Sequence, residues 1–160
     1  FPNVPLERDG SLLWSIESIF DEIKIGMVMV SSTGEEVVGI SVDSSGVDDV
    51  LLDTDGKLIS PVFHYRDSRN KASSQVVQKR LEWKDIYEET GLQLIDFNTV
   101  FQLVAETPER LSRASTTQLY DPRKRTWFSR LADLAGLRVE QLPEVVSSGT
   151  PFGPFRGEIA

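Results

Sequence analysis

At 160 residues, with 39% hydrophobic and 26% charged side chains, the chain has the length and composition of one ordinary globular domain with enough apolar material for a core. Its formal net charge of −8 excludes a phosphate-backbone binder, which needs a surplus of Lys and Arg, so no nucleic-acid partner is expected. The absence of cysteine excludes disulfides and thiolate metal sites, a lone histidine, His64, leaves no His-rich zinc site, and both suit a reducing cytoplasm.

Phe1 to Trp14 (FPNVPLERDGSLLW) is proline-rich with a turn signal at Asp9-Gly10, and predicts an extended arm. Ser15 predicts an N-cap, and Ile16, Ile19, Phe20 and Ile23 follow the i, i+3, i+4, i+7 spacing of an amphipathic helix that crosses Gly26 and ends near Ser32. Val37 to Val42, short, apolar and β-branched, predicts a strand buried on both faces, and a helix feeding such a strand is half of an α/β crossover. Val50-Leu51-Leu52 predicts a second strand, Asp53-Thr54-Asp55-Gly56 a hairpin turn, and Leu58 to Tyr65 a third strand with Pro61 marking an edge or an irregularity.

Ser73 to Trp83 and Lys84 to Glu89 predict two helices, the second stopped by Thr90-Gly91. Phe97-Asn98-Thr99 opens another through Val104, and Thr107-Pro108-Glu109 reads as a cap followed by proline at the first helical position. Thr126 predicts the cap of a helix through Trp127, Phe128, Leu131 and Leu134 that ends at Gly136, and residues 145–160 (VVSSGTPFGPFRGEIA) read as a linker. No apolar run approaches the about 20 residues of a membrane span, nor does the N-terminus carry the apolar stretch of a signal peptide, so no membrane partner is expected.

The sequence lacks both G-x-G-x-x-G and G-x-x-x-x-G-K-[ST]. Its most chemical-looking feature is the acidic trio Asp43, Asp48 and Asp49 around Gly46. Carboxylates at the C-terminal end of a strand can hold a hydrated divalent cation or polyol hydroxyls, but the pattern alone favours a solvated acidic loop.

The residues S-V-D-S-S-G-V-D-D-V-L-L-D (Ser41 to Asp53) followed by Tyr65-Arg66-Asp67-Ser68-Arg69 resemble the rhamnulokinases, a family of FGGY carbohydrate kinases. The likeness continues through Asp85-Ile86-Tyr87, Thr90-Gly91-Leu92-Gln93, Phe97-Asn98-Thr99 and Ala114 to Leu119, with the opening FPN…GSLLW and Pro143 to Pro154, so it spans nearly the whole chain. It implies an α/β, ribonuclease H-like (actin-like ATPase) fold, a mixed sheet with flanking helices forming the N-terminal lobe of a two-lobed sugar kinase. On that resemblance residues 1–150 make the sugar-binding lobe and residues 151–160 lead toward a C-terminal ATPase lobe of the same protein. The implied activity transfers the γ-phosphoryl of ATP, with Mg2+, to the 1-hydroxyl of L-rhamnulose in a cleft whose closure excludes water, in rhamnose catabolism in the cytoplasm.

The resemblance makes the loop at Ser45 and Gly46 sugar-facing, with Gly46 allowing a ligand close to the backbone. It adds Asp48, Asn98, Arg66 and Asp67 as candidate substrate contacts, each with a plainer role available: Asn98 as a helix cap, Arg66 and Asp67 as members of an internal salt-bridge network with Arg69. His64 is expected to have no catalytic role, and Trp14, Trp83 and Trp127 to pack. The sequence departs from the family at Ser45, where relatives carry Trp, and at Asp49, where they carry Tyr or Phe, which removes apolar contact with the sugar. Around residues 111–114 the family carries a longer segment with a helix and an aromatic-acidic motif. Neither the family's phosphate turn, D-x-G-x-x-S-x-R, nor its catalytic aspartate in H-D-T occurs in these residues, so the 160-residue polypeptide is expected to phosphorylate nothing by itself. Two further readings stay open: a non-catalytic sugar-binding or interaction module of the same fold, and an acidic-loop metal-binding α/β domain using Asp43 and Asp48.

Overall fold

The computed structural model describes residues 1–42, 46–106, 119–121, 123–124, 126–142, 144, 146, 149–151 and 153–154. The opening residues form a hairpin where an extended arm was expected. Strand β1 (Leu6–Arg8) pairs antiparallel with β2 (Ser11–Trp14), with Arg8 opposite Ser11. The connecting Asp9 and Gly10 both take positive φ, 53° and 79°, the requirement of the tight turn whose twist matches its strands. β2 then pairs antiparallel with β3 (Val62–Phe63), placing Trp14 opposite Val62 and completing a three-stranded sheet.

The described residues fall into two compact units, one of Phe1–Asn3, Ser15–Ser44 and Glu144–Ala160, the other of Val4–Trp14 and Ser45–Pro143. The first carries α1 (Ile16–Ser31), which crosses Gly26 as its spacing predicts. The Ser15 side chain accepts from the Ser18 amide and caps the helix. None of its residues is buried, so Ile25, Val28 and Met29 face solvent at more than half exposure. The strand expected at Val37 to Val42 is not formed. Among the described residues nothing pairs with it, and Val38 and Val42 are 92% and 89% exposed, so the β-branched run has no ladder to join.

The second unit holds the core. The expected second and third strands shrink to a Leu52–Leu58 bridge and β3, and between them lies Pro61, which has no amide proton to donate to a ladder. The turn itself forms as expected, with Gly56 at φ 77° and the Asp53 carboxylate accepting from the amides of Asp55 and Lys57. Helix α2 spans Arg69–Gln78 and starts earlier than its apolar spacing indicates, because the Asp67 carboxylate accepts from the Arg69 amide and so caps the first turn. α3 (Trp83–Thr90) stops at Gly91 in the left-handed conformation, φ 68°, as the sequence predicts.

α4 (Thr99–Val104) packs on α2, and its Phe101 and Leu103 are among the most enclosed side chains of the chain. The expected cap at Thr126 is corrected: Thr126–Trp127 is strand β5, paired with β4 (Tyr120–Asp121). Helix α5 (Ser129–Leu134) begins only afterwards and Gly136 follows it at φ 75°. Val77, Leu81, Ile86, Leu131, Ala132 and Leu137 close the core around Phe101 and Leu103. The helix expected from Thr107 lies outside the described residues.

Candidate functional site

The loop after position 45 is held by residues distant in sequence. Asp48 Oδ1 accepts from the Trp14 indole Nε1 at 2.8 Å and from the Tyr65 amide at 3.0 Å, tying the loop to β2 and to the end of β3. The Gln102 Nε2 on α4 donates to the carbonyl of Val47 at 2.5 Å and to that of Phe97 at 2.9 Å. Around this anchor the rings of Trp14, His64, Tyr65 and Phe97 follow one another at centroid separations of 4.4, 4.4 and 5.6 Å. Aromatic pairs at such spacing fix ring orientation beyond their burial.

His64 is 5% exposed, and its Nδ1 accepts from the Arg66 amide at 3.0 Å, which requires that nitrogen to be unprotonated and puts the proton of the neutral ring on Nε2. Burial pushes its pKa below the ordinary 6.5, Arg66 pushes the same way, and the carboxylates of Asp48 and Asp67 oppose them. It is a histidine packed between the rings of Trp14 and Tyr65.

Asp67, 4% exposed, spends both oxygens on the backbone: Oδ2 accepts from Leu12 at 2.7 Å and Oδ1 from Arg69 at 2.9 Å. Arg66 is exposed and lies 5.0 Å over the Tyr65 ring. The ion pair that forms is between Arg69 and Glu106, at 2.8 Å, with the guanidinium 3.5 Å over Phe63. Asp48, Arg66 and Asp67 therefore gather at the join of β2, β3 and α2, and the two carboxylates are bonded to the chain itself.

Gly46 and Asn98 meet elsewhere, on a cavity of about 270 Å³ whose walls also include Val47, Phe101, Leu119 and Phe128. Gly46 is exposed, is outside the left-handed region, and a Cβ added there would meet no heavy atom within 4 Å. Among the described residues nothing in the backbone or packing demands a glycine at this position, as is also true of Gly26 and Gly39. Asn98 precedes α4 in extended conformation but makes no side-chain cap; its Nδ2 donates to the Gln93 carbonyl at 2.9 Å. Ser45 and Asp43 lie outside the described residues.

Sequence reasoning did not find Gln102, Trp14 or Tyr65 as the supports of this loop. Gln102 is 55 residues from Val47 and Trp14 is 34 from Asp48, so no local spacing marks either pair. Among the described residues no three of His, Cys, Asp or Glu come together as a metal-ligating group. No helix among the described residues is long and apolar enough to cross a membrane.

Solved structures match this architecture over nearly the whole chain. The gluconate kinase of Lactobacillus acidophilus superposes with a TM-score of 0.83 at 18% identity over 99% of this chain and 38% of its own length. The glycerol kinase of Plasmodium falciparum, solved with ADP, gives 0.75 at 14% identity over 99% and 40%. The fold is that of the N-terminal part of the FGGY sugar kinases, an actin-like ATPase fold, and the chain is similar in sequence to members of that family.

Within that family its sequence relatives are rhamnulokinases. Those of Enterococcus faecalis and Yersinia pestis are each 32% identical, over 98% and 96% of this chain. The chain spans about 37% of the length of these relatives. No protein-family model matches it.

Proposed function

We propose that this chain is the sugar-binding part, residues 1–150, of a longer cytoplasmic enzyme that phosphorylates L-rhamnulose on its 1-hydroxyl with ATP, residues 151–160 leading on to a C-terminal ATPase lobe. The observation that carries the reading is the similarity to rhamnulokinases along 98% of the chain. The geometry adds that Gly46 lines the same cavity as Asn98, where a residue without a side chain lets a ligand come close to the backbone.

In this reading Gly46, Ser45 and Asn98 face the sugar. Asp48 holds the loop that presents Gly46, and Arg66 and Asp67 lie off this cavity, just before α2. ATP, Mg2+ and the catalytic base are assigned to parts of the full-length protein beyond these residues, since the sequence contains neither H-D-T nor the phosphate turn D-x-G-x-x-S-x-R. The work of this part is to bind and orient the sugar, which places its hydroxyl for in-line transfer without itself moving a proton.

The test is a coupled ADP-release assay on the full-length protein with L-rhamnulose, L-rhamnose and D-xylulose. Turnover with L-rhamnulose above the other two is expected. ADP release that no sugar accelerates would sink the reading and favour a non-catalytic sugar-binding module, the alternative that Ser45 and Asp49 motivate.

A further inference from the structure

α4 is short and enclosed, and Gln102 sits in it between Phe101 and Leu103 at 1% exposure. An amide buried so completely is costly unless bonded, and a leucine of similar volume would carry no such cost. Gln102 uses its amide to join two separate segments. Its Nε2 donates to the carbonyl of Val47, the residue after Gly46, and to the carbonyl of Phe97, the residue before Asn98. Both protons of one planar –NH2 group are thereby committed, and their fixed angle sets the separation of the two carbonyls. Gln102 itself does not line the cavity that Gly46 and Asn98 share.

We propose that Gln102 is a positioning residue for substrate: its carboxamide cross-links the Gly46–Val47 loop to the Phe97–Asn98 segment and so fixes the width of the sugar-facing cavity. The inference rests on the reading of Gly46 and Asn98 as sugar-facing. Without the link the loop is still tied at Asp48, through Trp14 and Tyr65, so the fold is retained while the two walls lose their common register. Displacement of about 1 Å at such a site is enough to cost most of a substrate's productive binding.

The experiment has two arms. In the full-length protein, Gln102→Leu and Gln102→Met fill the space and donate nothing. They should raise the KM for L-rhamnulose about tenfold or more while the KM for ATP stays within about twofold. Gln102→Asn, one methylene shorter, reaches at most one carbonyl and should fall between these variants and the wild type. In the wild-type chain, the Gln102 side-chain NH2 protons should exchange with solvent at least about a hundredfold more slowly than those of an exposed glutamine.

Sugar-dependent turnover in the wild type with an unchanged sugar KM in a folded Gln102→Leu or Gln102→Met overturns this inference alone. Fast exchange of the Gln102 NH2 protons overturns it as well, whether or not the variants fold. A wild-type protein that turns over no sugar overturns the proposed function, and the substrate role of Gln102 with it.

Discussion

Asp48 offers the sharpest separation between a residue that holds the loop and one that touches a sugar. Its Oδ1 accepts from the Trp14 indole at 2.8 Å and the Tyr65 amide at 3.0 Å, in half-buried ground. Hydrogen bonds to a charged partner contribute about 1.5–3 kcal/mol each, and partial exposure favours the lower end. Asp48→Ala strips both bonds and leaves two donors without that acceptor, so a loss of about 3 kcal/mol is expected. Asp48→Asn keeps an oxygen in place and forfeits the charge, for a loss of about 1 kcal/mol. Urea denaturation of the chain followed by tryptophan emission measures both, with Trp14 reporting on its own lost bond. A shift for Asp48→Ala below about 1 kcal/mol would refute the structural account of this carboxylate. If Asp48→Asn is nearly as stable as wild type yet raises the sugar KM of the full-length protein about tenfold, Asp48 also contacts substrate.

Gly46→Ala should leave stability unchanged or raise it by about 0.5 kcal/mol, because the backbone there is compatible with alanine and the space is open, whereas sugar binding should weaken; a loss above about 1 kcal/mol in a melt contradicts this. Phe101→Ala, at 1% exposure in the centre of the core, should cost about 3–5 kcal/mol by chemical denaturation. His64 is protonated less readily in the folded chain than in the unfolded one, so below about pH 6.5 the unfolded state binds more protons and its contribution to stability is progressively lost as pH falls through the lowered folded pKa. Urea midpoints between about pH 8 and pH 5 should therefore fall less steeply in His64→Gln than in wild type, and equal slopes would contradict the shift.

The legible parts of the sequence were those that depend on near neighbours. Ser15 as a cap, the turn at Asp53 to Gly56 and the left-handed stops at Gly91 and Gly136 each follow from one residue's own conformational preference, and each stands where the spacing places it. The errors share a cause. Asp9-Gly10 carries the signal of a tight hairpin, yet strands as short as β1 and β2 give too little alternation to be read without their partner. Thr126–Trp127 became a strand because β4 lies beside it. Val37 to Val42 has every local mark of a strand and none of the ladder, which no local preference supplies.

The resemblance to the FGGY carbohydrate kinases was written in the ordered motifs from Ser41 to Leu119, and with it the fold class. The sequence by itself determined these because motif identity and backbone preference are local properties of the chain. Only the tertiary structure decided which residues serve the loop. Asp67 is paired with the Leu12 amide 55 positions away, Asp48 with Trp14, and Gln102 with Val47. Such bonds are set by how β2, β3, α2 and α4 pack, since a buried donor or acceptor takes whatever partner the fold brings within reach.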